Sequence, residues 1–284
     1  MDEGRLAIIA NIERAICEGD SFRKVELSDP VITDEDIKRR IEPFDTLRRK
    51  PINKLKAFVA RLIAESETKK RNARTVILGE ELISDIGGGA ILTCNHFNVM
   101  DNTIPRLLAM RSGRARKFDV VVQESNIFME GFFGFLMNNA NTLPVSRSAS
   151  YMAKNLKPAL RALLGRGDFI LIYPEQEMWF NYKKPRELRE GAYHYAAELG
   201  VPIIPLFVTM ESLDSVDSQG FSELAHTLHV MPPIYPDPDL SVRENRERMR
   251  ERDRALKREC YERVYGRAVD SEFDPALDIA GYRK

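Results

Sequence analysis

The segment NHFNVMD, residues 95–101, places His96 directly after an apolar run, AILTC, with an aspartate, Asp101, five positions further on. A histidine held by a carboxylate can act as a general base, because the acid fixes the tautomer and stabilises the imidazolium that forms. On one helix five residues advance about 500°, leaving the two side chains roughly 140° apart, so they meet only where the segment bends. A strand followed by a helix supplies that bend. GAILTCN is apolar and β-prone, and Asp101 or Asn102 can cap a helix running to about Arg111, with Pro105 near its start. Cys94 shares a strand face with His96, which makes a cysteine–histidine nucleophilic pair conceivable. Side chains so placed sit too far apart, however, and a cysteine in an apolar strand is usually a small hydrophobe.

The elements that must position this pair alternate along the middle of the chain. Short apolar runs (TVILG, AILTC, FDVVVQ, NTLPVS, DFILIYP and VPIIPLFVTM) are separated by helical patterns at about 102–111, 150–164 and 190–199. Strands alternating with helices predict an α/β fold with a partly parallel central sheet flanked by helices. In such sheets ligand sites gather at the carboxyl ends of strands. His96, Arg147 and Glu175 each follow one of these runs. Residues 1–70 read as an N-terminal helical appendage and 71–284 as the α/β domain. DPVITDEDIKRRIEPFD suggests a turn and a capped short helix. A heavily charged helix from about Ser241 is expected to be solvated and to dock through Met249, Leu256 and Val264.

The chain has 284 residues with 43 Lys+Arg and 43 Asp+Glu, so no overall charge argues for nucleic-acid binding. Cys17, Cys94 and Cys260 form no C-x-x-C pair, and the histidines have no metal spacing, so no metal is expected. H-E-x-x-H, G-x-S-x-G, Walker and dinucleotide signatures are absent from the sequence. No run reaches eighteen apolar residues, and a reducing, cytoplasmic location fits. Any membrane contact must be at the surface. In INKLKAFVARLIA, residues 52–64, Leu55, Phe58, Val59, Leu62 and Ile63 form a stripe flanked by Lys54, Lys56 and Arg61. That helix could pack on its own domain or lie on an anionic bilayer. The Phe/Met-rich IFMEGFFGFLM reads as core, an acyl channel or a bilayer-facing rim needing the same composition.

NHFNVMD resembles the N-H-x4-D motif of the glycerolipid acyltransferases, the 1-acylglycerol-3-phosphate (lysophospholipid) acyltransferase family. GFFGFLMNNANTLPVSR is similar to the family's second block, which ends in an arginine, here Arg147. LIYPEQEMW resembles the third block, with Tyr173 at its phenylalanine, then Pro174 and Glu175, and LREGAYHYAAELGVPIIPL leads to the fourth. The resemblance covers about residues 76–210. It implies that His96 deprotonates an acceptor hydroxyl, that Asp101 orients it, and that Asn95, Arg147, Pro174 and Glu175 serve substrate binding. It also implies an acyl donor that is a thioester of coenzyme A or acyl carrier protein, with no other cofactor, and a protein peripheral on the inner face of the cell membrane with a lysolipid acceptor. A thioester is already activated, so a positioned base and an oxyanion donor suffice without a protein nucleophile.

The third block departs from the family, which has glycine, then threonine or serine, and arginine where Gln176, Glu177 and Met178 stand here. Gln176 removes the close backbone approach glycine permits, and Glu177 adds an anion. Lys183 and Lys184, with Arg186 and Arg189, could restore positive charge from the next turn. The altered block leaves open an acceptor of another kind, such as a glycolipid, a cell-envelope polyol or an amino lipid. A catalytically silent lipid-binding protein is the third reading.

Overall fold

The computed structural model describes residues 1–26, 30, 32–48 and 50–283, so part of the turn expected in DPVITDEDIKRRIEPFD lies outside the described residues. Seven strands form one sheet: β1 (Val76–Leu78), β2 (Ala90–Thr93), β3 (Phe118–Gln123), β4 (Thr142–Val145), β5 (Phe169–Ile172), β6 (Ile203–Val216) and β7 (Ser222–Val230), in the order β1-β7-β6-β2-β5-β3-β4. From β6 to β4 all neighbours run parallel, whereas β7 returns antiparallel to β6 and β1 runs parallel to β7. Every residue of β2 is buried, as expected of a central parallel strand covered on both faces. The partly parallel α/β sheet expected of the sequence is therefore present. The strand β7 was not among the expected runs, although Leu224, His226, Leu228 and Val230 alternate as a strand requires.

The principal helices are α1 (Glu3–Cys17), α2 (Pro51–Arg71), α3 (Thr103–Arg111), α4 (Gly131–Asn139), α5 (Lys157–Gly165), α6 (Gly191–Leu199) and α7 (Val242–Tyr265). The first seventy residues do not stand apart from the sheet. Ile37, Ile41 and Phe44 join the main core, and α1 buries Ile9, Ile12 and Ala15 against Trp179, Phe180, Phe221 and Ile279 in a second core.

Helix α7 opens with a capping box between Ser241 and Glu244 and ends at Gly266 in the left-handed conformation. Met249 and Leu256 dock it as expected, but Val264 is 42% exposed. The charge pattern hid a buried ion pair. Lys257 Nζ lies 2.9 Å from an Asp253 oxygen, both side chains fully enclosed, and Asp253 accepts from Thr93 Oγ1 and Tyr193 OH at 2.6 Å each. Removing one partner of such a pair costs about 3–5 kcal/mol, and the hydrogen bonds of both residues to Thr93 tie α7 to β2 close to the His96 segment.

Helix α2 packs through its small residues, Ala60 and Ala64, against Leu136 and Ala140 of α4. Its large apolar stripe faces outward: Ile52, Leu55, Phe58, Val59 and Leu62 are all exposed, as are Phe132 and Phe133 at the start of α4. Residues 52–64 thus do pack on their own domain, through Ala60, Ile63 and Ala64, while the stripe members Leu55, Phe58, Val59 and Leu62 stay exposed. The IFMEGFFGFLM cluster divides, with Leu136 buried and two phenylalanines exposed. Among the described residues no helix is long and apolar enough to cross a membrane.

Candidate active site

The end of β2 leads through Cys94 and Asn95 into a bend whose carboxylate closes it. Asp101 Oδ2 accepts from the backbone N–H of Phe97 at 2.8 Å and of Asn98 at 3.2 Å, and it lies 2.8 Å from His96 Nδ1. Asp101 Oδ1 accepts from Tyr173 OH at 2.5 Å. A carboxylate surrounded by donors fixes the remaining partner: Nδ1 carries the proton and donates it, which leaves Nε2 as the basic nitrogen. Asp101 therefore faces back into the bend, and α3 begins at Thr103 without a side-chain cap. The His96 and Tyr173 rings stack at 4.1 Å, 16° from parallel, so the imidazole is held in its plane as well as at its nitrogen. Burial and the Asp101 charge push the Tyr173 phenol well above its usual range, so it remains a neutral donor.

The segment after β5 wraps the same bend. Glu175 Oε2 accepts from the His96 backbone N–H at 3.2 Å and from Arg186 Nε at 3.2 Å, while Oε1 accepts from the Arg186 N–H at 3.1 Å. The Glu175–Arg186 ion pair is almost wholly enclosed. Burial lowers the Arg186 pKa, opposed by the Glu175 charge. Arg186 also donates to the Ser21 carbonyl at 2.9 Å and lies over the Trp179 ring, whose Nε1 donates to the Arg23 carbonyl. The Trp179 N–H donates to the His96 carbonyl at 3.1 Å and the Asn181 N–H to the Phe97 carbonyl at 2.9 Å, which straps this loop along the motif. Pro174 holds the loop through its carbonyl, which accepts from the Arg189 N–H. The cysteine alternative has no thiolate available, because burial pushes the Cys94 thiol well above its usual range.

Residues 67–209 match the family model for acyltransferases, half of the chain. The chain belongs to the acyltransferase family. Its structure is similar to that of the 1-acyl-sn-glycerophosphate (LPA) acyltransferase PlsC from Thermotoga maritima, with 16% identity, a TM-score of 0.52, and coverage of 92% of this chain and 97% of that chain; at that identity the likeness concerns the fold. No curated protein sequence matches the chain.

In this acyltransferase the residues singled out by sequence fall into two groups. His96, Asp101 and Glu175 share one hydrogen-bonded network. Arg147 follows β4, where its guanidinium is 2.9 Å from Asp34 and 3.8 Å from Glu124 and donates to the Ile32 carbonyl. Asn95 is buried with its amide bonded to both the N–H and the carbonyl of Val208, so it ties β2 to β6. Lys184 is 4% exposed, 3.1 Å from Asp278, and donates to the Ser271 carbonyl. Lys183 donates to the Leu277 carbonyl and lies over the Tyr265 ring. These contacts give Asn95, Lys183 and Lys184 structural work, and the charge expected to replace the third block's arginine is engaged within the fold.

The departure at Gln176 has a backbone signature. Its φ is +62°, the left-handed region that glycine enters freely and other residues enter at a cost. Its side-chain oxygen accepts from Arg189 Nε at 3.1 Å and Glu177 accepts from Gln123 Nε2 at 2.8 Å, contacts that a glycine–threonine pair would not make. The sequence places Tyr173 in the third block but does not reveal that its hydroxyl donates to Asp101. The signal was its place at the block's phenylalanine, where a hydroxyl adds a donor.

Proposed function

We propose that this acyltransferase moves a fatty acyl group from a thioester of coenzyme A or acyl carrier protein to the free hydroxyl of a lysophospholipid such as 1-acylglycerol-3-phosphate. The observation that carries the reading is the His96–Asp101 pair, with Nδ1 engaged and Nε2 left to take a proton. His96 Nε2 removes the hydroxyl proton as the acceptor oxygen bonds to the thioester carbonyl carbon. The tetrahedral intermediate then collapses, the carbon–sulfur bond breaks, and the thiolate leaves with the proton from the imidazolium. General-base help of this kind contributes about 10²–10⁴ in rate. Arg147 is the residue assigned to the acceptor's phosphate, and the 16%-identical LPA acyltransferase of similar fold supports that choice of acceptor class.

The outward stripe of α2 supports docking at a membrane surface. Burying one such side chain is worth about 1.5–3 kcal/mol, and five of them lie on one helix face whose last turn carries Lys69, Lys70 and Arg71. Replacing Phe58 and Leu62 by Glu is expected to abolish sedimentation with anionic liposomes at an unchanged melting temperature; undiminished sedimentation would reject docking through α2.

The first test of function is thiol release from palmitoyl-coenzyme A by the purified chain with a panel of lysolipids. Release dependent on lysophosphatidic acid, lost by at least ~100-fold in His96→Ala, is the expected result. Release with other acceptors only would move the assignment to a different headgroup. No release from either coenzyme A or acyl carrier protein thioesters would refute the transfer.

A further inference from the structure

We infer that the cavity between the C-terminal end of α2 and the β6–β7 hairpin is a second anion site, one that takes a phosphate ester of a substrate. The cavity measures about 270 Å³ and is lined by Lys70, Arg71, Arg74, Thr75, Glu223 and His226, among others. That is below the ~300–1,000 Å³ of pockets that enclose a whole drug-sized ligand, and it suits a headgroup or one phosphorylated end of a larger molecule.

Three cations face one carboxylate there. Arg71 is held by Glu67 at 3.0 Å, and Glu223 accepts from Ser215 Oγ at 2.8 Å. Among the described residues no hydrogen bond or ion pair engages the side chain of Lys70 or Arg74. The dipole of α2 accounts for cations in its last turn, but not for Arg74, which lies beyond the helix, nor for a histidine supplied by β7. The cluster is also held in place. Asn72 is buried and donates to the Thr68 carbonyl and to Thr103 Oγ1, both at 2.9 Å, and it accepts from Thr75 Oγ1 at 3.0 Å. Thr103 opens α3 two residues after Asp101, so one buried network fixes the basic turn to the catalytic bend.

His226 links the cavity to the site from the other side. Its ring stacks on that of Phe97 at 5.7 Å, and burial lowers its pKa against the pull of the Asp101 charge, leaving a neutral imidazole that can donate to an anion. Strand order then sets the geometry. With neighbouring strands ~4.8 Å apart, Arg147 follows a strand about 14 Å from β2 on one side, and His226 sits on a strand about 10 Å away on the other. A transfer between two phosphorylated substrates can use an anion site on each side of its base, and Arg147 is assigned to one of them. The ligand's identity rests on the proposed acyl transfer: the phosphate belongs either to the thioester carrier or to the lipid acceptor.

The test uses the full chain and binding without turnover. Calorimetry would compare coenzyme A, a short-chain lysophosphatidic acid and the matching uncharged monoacylglycerol on the wild type, on Lys70→Gln/Arg74→Gln, and on Arg243→Gln/Arg252→Gln, which removes equal charge at exposed positions of α7 outside the cavity. At least tenfold weaker binding of a phosphate probe in the first variant alone, with monoacylglycerol unaffected, is expected; the probe affected identifies the substrate. Unchanged affinity for both phosphate probes, equal loss in the control variant, or loss of monoacylglycerol binding would overturn the site. A wild type that releases thiol while the cavity variant binds like it counts against the site alone, whereas a wild type without thiol release counts against the acyl-transfer reading.

Discussion

The ends of β2 and β5 and the end of β4 are built in opposite ways. Around His96 and Glu175 both carboxylates are enclosed and filled by donors from several parts of the chain. At the end of β4, Arg147 is 54% exposed, and its closest carboxylate, Asp34, is 87% exposed. An exposed ion pair is worth about 0–1 kcal/mol, so a ligand phosphate can replace Asp34 at little loss. The enclosed carboxylates have no such freedom, since each departing donor would be left unsatisfied at about 1–3 kcal/mol. Under the proposed acyl transfer the difference separates two duties. Groups that stabilise developing charge must be preorganised, because reorientation during the reaction adds to its barrier. Groups that select a substrate can wait for it.

The largest expected effect breaks the enclosed side. Asp101→Asn turns one acceptor oxygen into a donor facing the Phe97 and Asn98 N–H groups and removes the charge that holds the His96 tautomer. Steady-state assays should show kcat reduced by about 10²–10⁴ with the acceptor KM within a few-fold; a loss confined to KM would mean that Asp101 serves binding. A smaller effect sharpens the exposed side. Arg147→Ala should raise KM for a phosphorylated acceptor by roughly tenfold, a loss of about 1.4 kcal/mol, while kcat stays within about twofold and a non-phosphorylated acceptor is unaffected. An equal fall in kcat would place Arg147 in the preorganised set. The smallest expected change concerns Gln176. Its positive φ favours glycine, but Gln176→Gly also loosens the unfolded chain and removes the Arg189 contact, so the terms nearly cancel and thermal unfolding should shift by less than about 1 kcal/mol. A greater loss would show that the Arg189 contact holds the loop.

What could be read in the sequence follows the range of the interactions. His96 and Asp101 are five residues apart, and a bend argued from the apolar pattern brought them together, although the side-chain cap expected on the following helix is absent. The alternation of strands and helices was equally local. Lys184 could not be read, since the carboxylate that holds it, Asp278, lies 94 positions along the chain. The same holds for Arg186 and Ser21, which are 165 positions apart. The stripe of α2 shows a third kind of limit. Periodicity identifies an apolar face, but an inward and an outward face have the same period, and only the packing of Ala60 and Ala64 on α4 decides between them.

The second core, where α1 meets Ile279, also bears on how the chain reaches its native state. Ile9 and Ile12 share that cluster with a residue some 270 positions away, and Trp179 and Phe180 belong to it too. Contacts of such separation reward the chain only after a very large loop has closed, so they form late. The loop that carries Glu175 is strapped to His96 on one side and to Ser21 and Arg23 on the other. Refolding should therefore show secondary structure returning before activity, with the His96 bend assembled only when both distant ends of its clamp have arrived.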